Sequence, residues 1–235
     1  MNRRASASLR AIGDVAVLLQ ELRDEAVFVG GATIPLLITD GAAGEERATE
    51  DVDVVVEAAS LVTYYALAER LRALGFSEDR RDDPPVICRW MHGPYRVDVM
   101  PVDGEFLGFR GAWFRAVCDR PWSFEAKNGL VVRVARAPEL LATKAEAFAD
   151  RGNGDFVVSK DIEDFVAVVN GRAELLAELR DAPSAVRRFV CGTVAKWLEN
   201  DHFMEALPGQ LHGDEASQQR ASMVIARLRS IGRLA

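Results

Sequence analysis

The chain has 235 residues, of which 49% are hydrophobic and 28% charged, with a net charge of −7. That length makes one large domain or two modest ones with ample core, and the composition is that of an ordinary globular protein. The acidic balance excludes a protein that coats nucleic acid through its overall charge, although a local basic groove stays open to it. At the start, MNRRASASLR is basic, but no apolar core of the signal-peptide kind follows it, so it does not read as a secretory signal. No apolar run reaches the length of a membrane span. Cys88, Cys118 and Cys191 stand far apart without a CxxC pair and are expected to be reduced and buried. His92, His202 and His212 have no metal-ligand spacing, and the expected location is the cytoplasm.

Residues 9–23, LRAIGDVAVLLQELR, carry apolar positions at helical spacing. The strand AVFV at 26–29 runs into Gly30-Gly31, and ATIPLLITD then reads as a short helix with Pro35 in its first turn. A polar loop, GAAGEER, leads into TEDVDVVV at 49–56, a valine-dense strand. A helix over 60–74 closes at Gly75. VICRWMH (86–92) and YRVDVMPV (95–102) form a hairpin around Gly93-Pro94. Residues 103–121 read as irregular, and a further strand pair falls near 122–126 and 130–134. From Ala137 onward PELLATKAEAFADR, SKDIEDFVAVVN, AELLAELR, SAVRRFVCGTVAKWLEN and EASQQRASMVIARLRSIGR all read as helices. The expected fold is α+β: a mixed sheet with flanking helices over 1–136, then an all-helical part over 137–235.

Two aspartates interrupt the valine strand. Asp51 and Asp53 point the same way, roughly 7 Å apart along the strand, and without compensation one would be expected to take up a proton. A divalent cation is the simplest compensation. Asp98 sits between apolar residues of YRVDVMPV; if the two strands are neighbours, it joins Asp51 and Asp53 around Mg²⁺ (or Mn²⁺), which prefers a few carboxylates plus phosphates and water. The other reading is that these are solvated edge-strand acids or salt-bridge partners. Gly30-Gly31 would let backbone N–H groups approach a phosphate with a helix start behind them, and Thr33 would add a hydroxyl donor. In the helical half, Lys144 falls on the apolar side marked by Leu141, Ala145 and Phe148, where a lysine either snorkels outward or points at an anion. In SKDIEDFVAVV, Ile162, Phe165, Val166 and Val169 face the core, while Asp161 and Asp164 share a neighbouring face, in most helices a solvated one. Trp90, Tyr95 and Trp113 are either core residues or stacking surfaces for a base.

FVGGATIPL, RATEDVDVVV and RVDVM together resemble the nucleotidyltransferase superfamily with the polymerase-β-type core. The finer likeness is to the AbiEii/MenT-like type IV toxin nucleotidyltransferases, and extends to Arg47 and Thr49 before the acids and to LLATKAEAFADR and KDIEDFVAVV. It spans residues 26–170. The resemblance implies a nucleotidyltransferase fold whose catalytic residues are Asp51, Asp53, Asp98, Lys144 and Asp164. The metal ligands would be Asp51, Asp53 and Asp98; the nucleotide would meet Gly30, Gly31, Thr33, Arg47, Thr49 and Lys144. Asp161 and Arg151 would be supporting residues, and the helical part would complete the nucleotide cleft.

The implied reaction is transfer of a nucleoside monophosphate from a nucleoside triphosphate to an acceptor hydroxyl, with release of pyrophosphate. MenT-like relatives point to the 3′ end of tRNA as acceptor and to a cognate antitoxin as partner; Arg70, Arg72, Arg80, Arg81 and Arg89 would supply local positive charge. An aminoglycoside-type enzyme with a small-molecule acceptor keeps the same chemistry. A third reading, from another class, is a catalytically silent protein of this fold that binds a nucleotide or partner.

Overall fold

The computed structural model describes residues 3–43, 49, 51–81, 86–108, 111–126 and 129–234. The protein is α+β, with one seven-stranded mixed sheet. It divides into two compact units, Met1–Pro35 with Arg47–Arg136 and Leu36–Glu46 with Ala137–Ala235. The second unit therefore takes in residues 36–46, which a simple division after residue 136 leaves in the first.

The first unit begins with helix α1 (Arg3–Leu18), shorter at its C-terminal end than the apolar spacing suggests. Gln20 takes a φ of 50°, which ends the α-helix and starts a 3₁₀ turn over Gln20–Asp24. Strand β1 (Ala26–Val29) is buried at every residue, as expected for the centre of a sheet. A 3₁₀ turn at Gly31–Thr33 leads to the four-residue helix α2 (Ile34–Leu37), through which the chain leaves the first unit. The unit continues with β2 (Asp51–Val56), α3 (Leu61–Ala73), β3 (Ser77–Glu78), β4 (Arg89–His92) and β5 (Tyr95–Pro101). It ends with α4 (Phe114–Asp119), β6 (Trp122–Glu125) and β7 (Val131–Val134). Helix α4 lies inside the segment that reads as irregular from sequence; Phe114, Val117 and Cys118 bury its inner face. Helix α3 is started by a reciprocal cap, in which the Ser60 hydroxyl accepts from the Thr63 N–H and the Thr63 hydroxyl from the Ser60 N–H.

The strands run in the order β3-β4-β5-β2-β1-β7-β6. β2 lies antiparallel to β1 and parallel to β5, and the β4–β5 hairpin turns at residues 93–94, pairing His92 with Tyr95. One face of β2 and β5 is dry, since Val52, Val54, Val97 and Val99 are all buried. The alternation that buries these valines sends Asp51, Asp53, Arg96 and Asp98 to the other face.

The second unit is helical: α5 (Ala137–Arg151), α6 (Lys160–Gly171), α7 (Leu175–Asp181), α8 (Ser184–Leu198), α9 (Asp201–Ala206), α10 (Glu215–Gln219) and α11 (Ala221–Gly232). Helix α5 packs on α6 and α8, and α11 on α8 and α6. Trp197 centres an aromatic core with Phe148, Phe156, Phe165 and Phe203, at centroid separations of 4.9–6.0 Å. The last periodic run is broken at Arg220, whose guanidinium reaches Asp40 and Asn170. Residues 39 and 40 are tied down too, both N–H groups donating to the Gly171 carbonyl at 2.9 Å. Among the described residues no helix is long and apolar enough to cross a membrane.

Candidate functional site

The residues singled out from sequence fall into two clusters, one in each unit. In the first unit, the parallel register sets Asp53 beside Asp98 and Asp51 beside Arg96. The antiparallel hairpin sets Arg89 beside Asp98. Partners in register share a face, so three carboxylates and two guanidinium groups gather on one side of β2, β5 and β4. Asp53 and Asp98 lie about 5 Å apart at the backbone, where two full charges would repel by about 3 kcal/mol at an effective dielectric constant of about 20. The arginines supply the compensation. Arg89 donates from Nε to Asp98 Oδ1 at 2.9 Å and from Nη2 to Oδ2 at 3.0 Å, a fork-on-fork pair with both side chains 19% exposed. Arg96 donates to Asp51 in a more open pair, 37% and 47% exposed.

Gly30 adjoins this face. Its φ of 75° suits glycine, and a Cβ there would fall 1.8 Å from Asp53 Oδ2 and 2.7 Å from its Cγ. The glycine thus makes room for the Asp53 carboxylate against the backbone of the turn. Thr33 is fully buried, and its hydroxyl donates to the Gly30 carbonyl at 2.8 Å. Its proton holds the turn closed, a different use from the phosphate donor read from sequence. Thr49 accepts the Asp51 N–H at 3.2 Å and steadies the entry to β2. Arg47 lies outside the described residues.

Oxygen-only donors on one face, with a glycine beside the central acid, have the chemistry that Mg²⁺ or Mn²⁺ prefers. The acids do not converge: among the described residues, no group of three or more His, Cys, Asp or Glu side chains is gathered to hold a metal ion. Asp51 and Asp98 are turned to their arginines instead.

Burial, with the Asp98 charge adding to it, pushes the Cys88 thiol up to about 12. Tyr64 is raised well above its ordinary range by burial, its hydroxyl donating to the Val99 carbonyl at 3.1 Å. Trp90 is only 1% exposed and belongs to the core, whereas Tyr95 hydrogen-bonds to Asp14.

The second cluster joins α5 to α6. Lys144 does not snorkel: its Nζ lies 2.6 Å from Asp164 Oδ2 and 3.1 Å from Asp161 Oδ1, with 12% of its side chain exposed. The two aspartates are buried as well, not solvated as their helix face suggests. Arg151 closes the balance, donating from Nε and Nη2 to Asp161 at 3.0–3.2 Å.

The residues that the sequence reading passed over are Arg89 and Arg96 as partners of the acids. Both were legible: Arg96 is two residues before Asp98, and a two-residue turn at 93–94 brings Arg89 opposite Asp98. No family model matches the chain, and neither does any curated protein.

Proposed function

We propose that the protein is a Mg²⁺-dependent nucleotidyltransferase that moves a nucleoside monophosphate from a nucleoside triphosphate to an acceptor hydroxyl, releasing pyrophosphate. The observation that supports this reading is the shared sheet face: Asp53 in register with Asp98, Asp51 two residues along on the same face, and the Cβ-less Gly30 against the Asp53 carboxylate. Asp51, Asp53 and Asp98 would hold the metal, which when bound supplies neutralisation of phosphate charge and easier proton loss from the acceptor hydroxyl. The chain's own part is orientation. The glycine turn offers close backbone approach to phosphate, Thr33 fixes that turn, and the β2–β5 register holds the acids in relation to it. Lys144 and Asp164 enter through the resemblance, Lys144 as a phosphate contact and Asp164 as the group that positions it. The favoured acceptor is the 3′ end of tRNA, which would make the protein toxin-like and give it an antitoxin partner.

One observation favours a second reading, a silent protein of this fold that binds without transferring: Asp51 and Asp98 are engaged by arginines. One assay separates them. Each α-³²P nucleoside triphosphate, with Mg²⁺, is offered to total tRNA, an aminoglycoside panel and the protein itself, beside the Asp51→Ala/Asp53→Ala protein. Label on tRNA that the double variant fails to transfer supports the favoured reading, and label on a drug moves the acceptor to a small molecule. Nucleotide binding by calorimetry with no label on any acceptor leaves the silent reading in its place.

A further inference from the structure

Asparagine followed by glycine occurs at 128–129, 153–154 and 170–171. Asn128 lies outside the described residues, and the fold treats the other two pairs in opposite ways. Asn170 and Gly171 end helix α6. The Asn170 amide is buried and used at both ends: Nδ2 donates to the Ala43 carbonyl at 3.0 Å, and Oδ1 accepts from Arg220 Nε at 2.7 Å. A Cβ on Gly171 would fall 2.5 Å from Ile38 Cδ1, so this pair is walled in. Asn153 and Gly154 instead form an exposed turn between α5 and α6. The Asp155 N–H donates to the Gly152 carbonyl at 2.8 Å, and the intervening φ values of 49° and 71° are the pattern of a type I′ turn, which favours Asn-Gly. A Cβ on Gly154 would meet nothing within 4 Å. An amide in open solvent beside an unhindered glycine nitrogen has both the tethered nucleophile and the water that amide loss requires.

The turn leads into a fixed loop. Asp155 Oδ1 accepts from the Val157 and Val158 N–H groups at 2.9 and 3.2 Å, and Gln210 Nε2 donates to the Phe156 and Val157 carbonyls at 2.7 and 2.9 Å. On either side of it stand the two halves of the buried cluster, Lys144 and Arg151 on α5 and Asp161 and Asp164 on α6.

We propose that Asn153 is a site of spontaneous deamidation, and that the change slackens the loop joining α5 to α6. The proposal is independent of the nucleotidyltransferase reading. The Gly154 nitrogen gives up its proton and attacks Asn153 Cγ; a new Cγ–N bond forms, the Cγ–Nδ2 bond breaks, and ammonia leaves carrying that proton. Water then opens the cyclic imide at one of its two carbonyls. One opening leaves an ordinary aspartate; the other leaves an isoaspartate, with the main chain rerouted through the side-chain carbonyl. Water is the only co-reactant. Both products set a new carboxylate just beyond the C-terminal end of α5, the negative end of the helix dipole, and close in sequence to Asp155. The isoaspartate also lengthens the main chain inside a turn that one hydrogen bond closes.

The test is peptide mass spectrometry of the full-length protein aged at pH 8, with fragmentation that separates aspartate from isoaspartate. Folded wild type is compared with wild type aged in urea and with folded Asn153→Gly, which keeps the turn's left-handed backbone and has no side-chain amide to lose. In the folded protein Asn153 is expected to convert more than about tenfold faster than Asn170, which reacts only when its helix opens; in urea the two should convert at similar rates. Hydrogen exchange over residues 152–159 should then rise in aged wild type and stay constant in aged Asn153→Gly. Equal conversion at 153 and 170 in the folded protein, or none at 153, overturns the site. Converted protein whose 152–159 amides exchange as they do in fresh protein overturns the slackening.

Discussion

The charged cluster on the sheet of the first unit and the one between α5 and α6 are built from the same materials and differ in depth. Both set aspartates against cations. On the sheet, Arg96 and Asp51 are 37% and 47% exposed, and water screens whatever the pair loses. Between the helices, Asp161 and Asp164 are 8% and 7% exposed around Lys144, so their charge is screened far less and a lost partner costs more. Burial of this kind commits a cluster to one arrangement. Partial exposure leaves the sheet cluster with alternatives, and that freedom is what a site that receives a charged ligand needs.

The contrast can be broken most directly at Lys144. Lys144→Met should destabilise the protein by about 3–5 kcal/mol in urea melts, since the buried Asp161 and Asp164 carboxylates would both lose the lysine's charge. Adding Asp164→Leu should recover much of that loss; no recovery would mean that the lysine matters for packing and not for charge. Next in size is Gly30→Ala, expected to cost about 2 kcal/mol through the left-handed backbone and the collision with Asp53. A melting curve like that of wild type would show that the turn relaxes away from the acid. On the sheet itself, Arg89→Gln should cost about 1–2 kcal/mol and Arg96→Gln less than about 1 kcal/mol, in the order of their exposure. Equal losses would contradict the ranking of the two pairs.

Two smaller effects sharpen the picture of the first unit. The Arg81 guanidinium beside Asp79 holds its carboxyl down to about 2. A lowered folded-state value means that this contribution is whole above the ordinary carboxylate range, near pH 4, and is lost as pH falls towards 2. Asp79→Asn should therefore flatten the acid limb of the stability profile over that interval and leave the neutral region's slope unchanged. Burial pushes Cys88 and Cys118 up to about 12 and about 11, so neither should react with iodoacetamide at pH 8 until the protein is unfolded. Fast labelling of Cys88 in the folded protein would mean that β4 opens readily.

Period-two valines and a two-residue turn made the central strands and the β4–β5 hairpin readable, because these depend on neighbours along the chain. Helix α4 was missed: six residues among aromatics and glycines carry too short a period to register. The single helix expected at 215–233 is two, since the side-chain bonds of Arg220 to Asp40 and Asn170 join positions remote in sequence.

The residue types and local spacing determined by themselves which side chains could carry chemistry: two acids on one face of a strand, a third on a strand that a hairpin defines, and a glycine pair at a strand end. Tertiary structure decided what those side chains touch. Strand order put Asp53 beside Asp98, and the same register handed Asp51 and Asp98 to arginines. Helix packing turned Lys144 inward to two aspartates. The physical reason is that charge is settled by whichever group lies within a few ångströms, and at that range β2 and β5, some 45 residues apart in sequence between Asp51 and Arg96, are immediate neighbours.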